Sequence, residues 1–396
     1  MIKRILVVLL SLPLLGVALL SVTGQDIAVT AVSRTYLKGH PTANIDDHQF
    51  FETRTIRASD PEPWPLHPES IGDDLPQPLL DYMDKNEAVA FLAIHKGQVF
   101  AEYYEAPYDA RSRTNSFSMA KTVITMLLGK AIDEGFISGL DQPITTLLPE
   151  FSDDPLAANA TIGSLSTMTS GYDWDEHYYS PFSPTVALLY SHDVGKFILN
   201  RGFSHEPETH FYYSSASTQL LTLSLERALR KQDPSLSVSE YLSRKLWQPL
   251  GMNDDAVWHL DGTGMELGYC CLNTNARNYA KLGQLMLQGG MWNGEQLLPR
   301  DFVERMRTPG KVEYYGYSTW IHYDNDPEFY AFRGHLGQYI VVVPEKDLII
   351  VRLGHQHPVP PNGTYSGLPF YIEQIVPLLP EDASEAAAPV AANVLN

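Results

Sequence analysis

The sequence predicts an α+β protein. Its expected architecture is one antiparallel sheet assembled from strands at both ends of the chain, flanked by helices, with a mainly helical lobe inserted between them. Three observations carry this. The stretch AVAFLAIHKGQVFAEYYE (Ala88–Glu105) reads as two strands around a Lys96-Gly97 turn. The stretch QYIVVVPEKDLIIVRLG (Gln338–Gly354) reads as two β-branched strands around a Pro-Glu-Lys-Asp turn. The region between, roughly 137 to 310, is rich in helix signals. It includes the capping-box sequence SVSE (Ser237–Glu240) and NARNYAKLGQLMLQGG, which ends at Gly289-Gly290.

The termini read differently. Lys3 and Arg4 precede an apolar run from Ile5 to Val22, with small residues and Gly24 after it, the layout of an export signal. The run is also just long enough to serve as an uncleaved membrane tether, although Pro13 favours cleavage. Either way the bulk of the chain is expected outside the cytoplasm, in the periplasm or cell envelope. The expected division is 1–24 signal or anchor, 25–86 a polar lead-in, 87–380 one domain, and 381–396 a low-complexity disordered tail.

Composition excludes some classes. With 28 basic against 47 acidic residues and a formal charge of -19, the chain has no basic footprint for nucleic acid. The two cysteines are adjacent, Cys270 and Cys271. Pairing neighbours closes a strained eight-membered ring, so the expectation is two small buried apolar side chains, with a redox switch as the alternative. HEPETH (His205–His210) has the wrong spacing for a zinc-protease motif, and Pro207 interrupts the helix that motif needs. No metal or cofactor is expected, and the partner is a small molecule.

The chemistry centres on TNSFSMAKTVITMLLGKAIDEG (Thr114–Gly135). Ala120, Val123, Ile124, Leu127, Leu128 and Ala131 share one face of a helix that Gly135 ends. Ser118 and Lys121 sit three apart at its start, within reach of each other. A lysine there is either a solvated surface charge or, if buried, a base of lowered pKa that takes the serine proton. The helix N-terminus would favour a developing oxyanion. In PETHFYYSSASTQLL (Pro207–Leu221), Tyr213 is the candidate proton relay with Ser215 beside it, unless Tyr212 and Tyr213 are ordinary core aromatics. In FRGHLGQYIVVV (Phe332–Val343), Gly334 and Gly337 allow close backbone approach. His335 is placed to touch substrate, and the N–H near Gln338 to complete an oxyanion hole with that of Ser118.

Ser118-Met-Ala-Lys121, Tyr213-Ser-Ser215 and His335-Leu-Gly337 stand in the order and rough spacing of the serine β-lactamase and penicillin-recognising superfamily, which this sequence resembles from about Glu87 to Leu379. MTSGYDWDE (Met168–Glu176) and GGMWNGEQLLP (Gly289–Pro299) resemble its class C-like branch, nearest to 6-aminohexanoate-dimer hydrolases and related esterases. The resemblance implies that Ser118 is acylated, Lys121 is its base and Tyr213 protonates the leaving group. It implies an oxyanion hole from the N–H groups of Ser118 and Gln338, and a substrate site with His335, Ser215, Gly337 and the hydroxyl of Tyr172. Class C β-lactamases have asparagine at the position of Ser215 and lysine at that of His335. An amidase or esterase acting on small substrates is therefore favoured over a β-lactamase or D-Ala peptidase. A non-catalytic binding protein of the same fold is the rival from another class, but binding alone requires no proton relay.

Overall fold

The structure is a computed structural model that describes residues 26–357 and 367–380. The expected export segment 5–22 and the tail 381–396 lie outside the described residues. In chain order the strands are β1 (Thr53–Ile56), β2 (Ala88–His95), β3 (Gln98–Tyr104), β4 (Thr114–Asn115), β5 (Ala256–His259) and β6 (Leu272–Thr274). They continue with β7 (Met291–Trp292), β8 (Glu295–Gln296), β9 (Trp320–His322), β10 (Phe329–Gly334), β11 (Gln338–Val343) and β12 (Leu348–Gly354).

The main sheet has six strands in the order β3-β2-β12-β11-β10-β9, every pair antiparallel. Both hairpins read from the sequence are present. Lys96 and Gly97 take positive φ at the β2–β3 turn, and Asp347 does so at the β11–β12 turn. The N- and C-terminal strands meet at β12 and β2, where Ile350 faces Ala93 and Val351 faces Leu92.

Both faces of this sheet are apolar, which explains its unbroken hydrophobic runs. Ile340, Val342, Ile349, Val351, Leu92 and Ile94 face one core, shared with the helices Met119–Asp133 and Ala276–Leu287. Their alternates Tyr339, Val341, Leu348, Ile350, Phe91 and Ala93 face a second core. It is covered by the helices Gln77–Lys85 and Leu368–Ile375. The helix Ala276–Leu287 lies so close that a β-carbon at Gly283 would stand 2.8 Å from the Ile340 methyl and 3.0 Å from that of Ile349.

Residues from 26 onward join the body. Strand β1 pairs with β5 in a second sheet ordered β1-β5-β6-β4. Lys281, 1 % exposed, donates to the carbonyls of Glu62, Leu250 and Gly251, tying this segment down. The middle of the chain is helical as expected. Ser237 caps Val238–Leu242 by accepting from the Glu240 N–H, and Asn275 caps Ala276–Leu287.

The cysteines correct the sequence reading. Cys270 and Cys271 are joined as a vicinal disulfide rather than standing as two free thiols. A left-handed φ of 74° at Cys271 turns the chain so that the neighbouring side chains converge. Both residues are nevertheless buried, as expected.

Gly283→Val should lower stability by about 1–3 kcal/mol, because the added methyls meet packed sheet side chains. Thermal melting checks this; an unchanged Tm would contradict the close helix–sheet contact.

Candidate active site

Strand β4 delivers the chain to Ser118. Phe117, just before it, sits at φ 44°, a left-handed conformation costly for a bulky residue. Its surroundings hold it there. The Ser116 N–H donates to the Leu272 carbonyl at 2.8 Å, and the Phe117 N–H to Asn115 Oδ1 at 2.8 Å. Ser118 follows as the N-cap of the helix Met119–Asp133, yet its side chain makes no capping bond, so the hydroxyl is free for other partners.

That partner is Lys121. Its Nζ lies 2.9 Å from Ser118 Oγ, 3.1 Å from Ser215 Oγ and 3.0 Å from the Tyr269 carbonyl. The rings of Tyr213 and Tyr269 face the ammonium at 5.0 and 5.5 Å. Lys121 is 1 % exposed, and among the described residues no carboxylate touches it. Burial pushes its pKa down to about 8, while the more distant Glu176 carboxylate pulls it up. The lysine is thus the buried member of the two readings left open by the sequence.

Ser215 connects the lysine to Glu176. It starts the helix Ser215–Gln232, which Ser214 caps, and it donates from its hydroxyl to Glu176 Oε1 at 2.6 Å and from its N–H to Oε2 at 2.7 Å. Because its proton is directed to Glu176, Ser215 Oγ accepts from Lys121. Trp174 Nε1 and the Tyr178 hydroxyl also donate to Glu176, each at 2.7 Å. Tyr213 packs against Trp320 and Tyr315. Burial raises its pKa while the nearby Ser118 hydroxyl opposes the rise, so at neutral pH it is a phenol, able to give a proton rather than take one.

The end of β10 closes the other side. A β-carbon at Gly334 would lie 2.2 Å from the Ser116 carbonyl oxygen and 3.0 Å from the Gln338 β-carbon. Glycine at this position therefore brings the start of β11 against the segment that carries Ser118. Leu336 and Gly337 then turn through left-handed conformations, φ 59° and 78°. The buried Arg352 guanidinium pins the turn by donating to the Leu336 and Gly337 carbonyls at 2.8 and 2.9 Å, and to that of Asn86. The Gln338 amide side chain is occupied by His335 and Gly354. His335 stacks on Tyr178 at 4.8 Å and meets Phe117 edge-on at 5.5 Å. Burial lowers its pKa to about 3, which makes it a neutral wall rather than a cation.

The structure brings Ser118, Lys121, Tyr213, Ser215 and His335 together. It does not bring Tyr172. That side chain is packed among Phe151, Phe203 and Trp174, and its hydroxyl donates to the Ile198 carbonyl at 2.5 Å. Tyr178 and Tyr179, just beyond that stretch, line the pocket instead. Gly337 shapes the turn, whereas Gly334 makes the close approach. Sequence reasoning missed Glu176, Tyr178, Tyr269 and Arg352. Trp174 and Glu176 lie within the quoted SGYDWDE stretch, but no spacing rule ties a glutamate there to a serine 39 positions on.

Comparison with known proteins places the chain in a family. Residues 79–365 match the family model described as Beta-lactamase, and the chain belongs to that family. It is 28 % identical over 238 residues to the 6-aminohexanoate-dimer hydrolase of Paenarthrobacter ureafaciens, a match covering 57 % of this chain and 58 % of that protein. The chain thus spans somewhat over half the length of this relative. A Bacillus anthracis structure, designated a candidate 6-aminohexanoate-dimer hydrolase, superposes with TM-score 0.68 at 21 % identity, covering 85 % of this chain and 92 % of that one. A family VIII carboxylesterase superposes with TM-score 0.59 at 15 % identity, covering 80 % and 99 %. These two likenesses show the shared fold. The chain thus belongs to the Beta-lactamase family and is similar in sequence to a 6-aminohexanoate-dimer hydrolase, and it shares the fold of the carboxylesterase.

The carboxylate of Glu176 stabilises the charged lysine. Glu176→Gln should therefore let Lys121 lose its proton at lower pH and move the rising limb of the kcat/KM–pH profile to the acid side of its position in the native protein. A limb that stays put would contradict the coupling.

Proposed function

We propose that this member of the Beta-lactamase family is an exported serine hydrolase cleaving a small amide or ester through an acyl-enzyme on Ser118. The observation that carries the reading is the buried Lys121 Nζ, 2.9 Å from Ser118 Oγ, with a pKa lowered to about 8. Near that pH the neutral amine is well populated and can accept the serine proton as Oγ bonds to the carbonyl carbon.

The oxyanion that forms faces the N–H groups assigned to it, those of Ser118 and Gln338. Tyr213, a phenol at neutral pH, gives its proton to the leaving nitrogen or oxygen as the carbonyl–leaving-group bond breaks. The proton held by Lys121 then restores the phenol. Water repeats the sequence in the second half. It gives a proton to the Lys121–Tyr213 pair, its oxygen bonds to the acyl carbon, and the Ser118 ester bond breaks as Oγ regains its proton.

His335 argues against a β-lactam substrate. A neutral imidazole does not offer the cation that a β-lactam carboxylate would pair with. Export rests on the basic start and apolar run of residues 3–22, with residues 5–22 as signal or tether.

Mixed rapidly with p-nitrophenyl acetate, the protein should release a burst of p-nitrophenolate close to one equivalent before steady turnover. Ser118→Ala should remove the burst and lower turnover by at least about a thousandfold. Full activity in Ser118→Ala would exclude the acyl-enzyme.

A further inference from the structure

We infer that the pocket beside Ser118 is an acyl site for an uncharged, apolar chain, and that the N-terminal segment 26–43 closes it and sets its specificity. This rests on the hydrolase reading above and names its substrate class.

The pocket reaches from Ser118 and Ser215 to a roof far away in sequence. Leu189, Tyr190 and Tyr269 form walls, and Ala31, Tyr36 and Ala43 the roof. Among the described residues that line it there is no Asp, Glu, Lys or Arg, and His335, the one histidine of that lining, is held neutral. The Glu176 carboxylate lies nearby but already accepts from Ser215 twice, from Trp174 and from Tyr178. A cationic chain end placed here would lose water without gaining a counter-ion.

The roof is anchored. The Tyr36 hydroxyl donates to the Tyr179 carbonyl, and Thr42 Oγ1 to the Tyr178 carbonyl at 3.2 Å. It lies outside residues 79–365, the part of the chain matched to the family. The closure is therefore made by a segment outside the part of the chain that the family model matches.

The position of Tyr213 decides which half of the substrate enters. Tyr213 is not among the residues that line the pocket; its ring packs instead on Trp320, over which Arg333 stacks at 4.5 Å. The leaving atom must lie towards the proton that Tyr213 supplies. The group in the pocket is then the one that remains on Ser118, the acyl chain.

The test uses the full chain and p-nitrophenyl esters from acetyl to decanoyl, with the p-nitroanilides of hexanoic and 6-aminohexanoic acid. The kcat/KM values should rise by up to about fourfold per methylene from acetyl towards hexanoyl. The hexanoyl anilide should exceed the 6-aminohexanoyl anilide at least tenfold at pH 7. Tyr36→Ala, which unties the roof, should flatten the chain-length dependence. Leu189→Glu, which places a carboxylate in the wall, should raise the 6-aminohexanoyl-to-hexanoyl ratio at least tenfold. A flat or falling profile in the native protein, or a preference for the 6-aminohexanoyl group, overturns the acyl-site assignment. Fluorophosphonate labelling run in parallel separates the failures. A labelled Ser118 with a flat profile sinks the acyl site alone, and an unlabelled Ser118 sinks the hydrolase reading beneath it.

Discussion

The site depends on one ammonium group kept out of water without a direct carboxylate partner. Lys121 is held by two hydroxyls, one carbonyl and two ring faces. That is enough polarity to tolerate the charge and too little to hold it firmly, so the pKa falls. Lys281 shows that burial alone does not make a base. It is equally hidden and its pKa is also lowered to about 8, but its hydrogen-bond partners are three backbone carbonyls. With no nucleophile among them, it serves as a strut. What distinguishes Lys121 is the serine hydroxyl at 2.9 Å.

Placing that hydroxyl is the work of the sheet. The β10–β11 turn can approach the nucleophile segment only because position 334 lacks a β-carbon, and Arg352 fixes the turn from within the core. Arg352 lies on β12, which pairs with β2 from the other end of the chain, and its third bond reaches Asn86 just before that strand. The N-terminal and C-terminal halves of the sheet therefore meet behind the β10–β11 turn. On the other side of Ser118, Glu176 gathers four donors and orients Ser215 towards the lysine.

Much of this was legible in the sequence because short-range rules governed it. The two hairpins carry turn residues at Lys96-Gly97 and Pro344–Asp347 between apolar runs. The Ser118 helix shows one-face periodicity and ends where Gly135 takes a left-handed φ of 74°. The Ser118–Lys121 contact follows from helical spacing. What was not legible depends on long-range packing. Nothing local says whether the hydroxyl of Tyr172 or that of Tyr178 faces the site; the first is consumed by Ile198, 26 positions on. The bond from Glu176 to Ser215 and the roof over the pocket join segments that have no shared pattern. The Cys270–Cys271 bridge rests on a backbone turn at Cys271 that adjacency does not reveal.

The central claim is that Lys121, and not its surroundings in general, activates Ser118. The most direct measurement is the rate at which a fluorophosphonate adds to the protein, followed by intact mass for the native chain and for Lys121→Ala. The account predicts a single adduct on native protein, localised to Ser118, and a rate lower by about 10²- to 10⁴-fold in Lys121→Ala. Equal rates in the two proteins would contradict it.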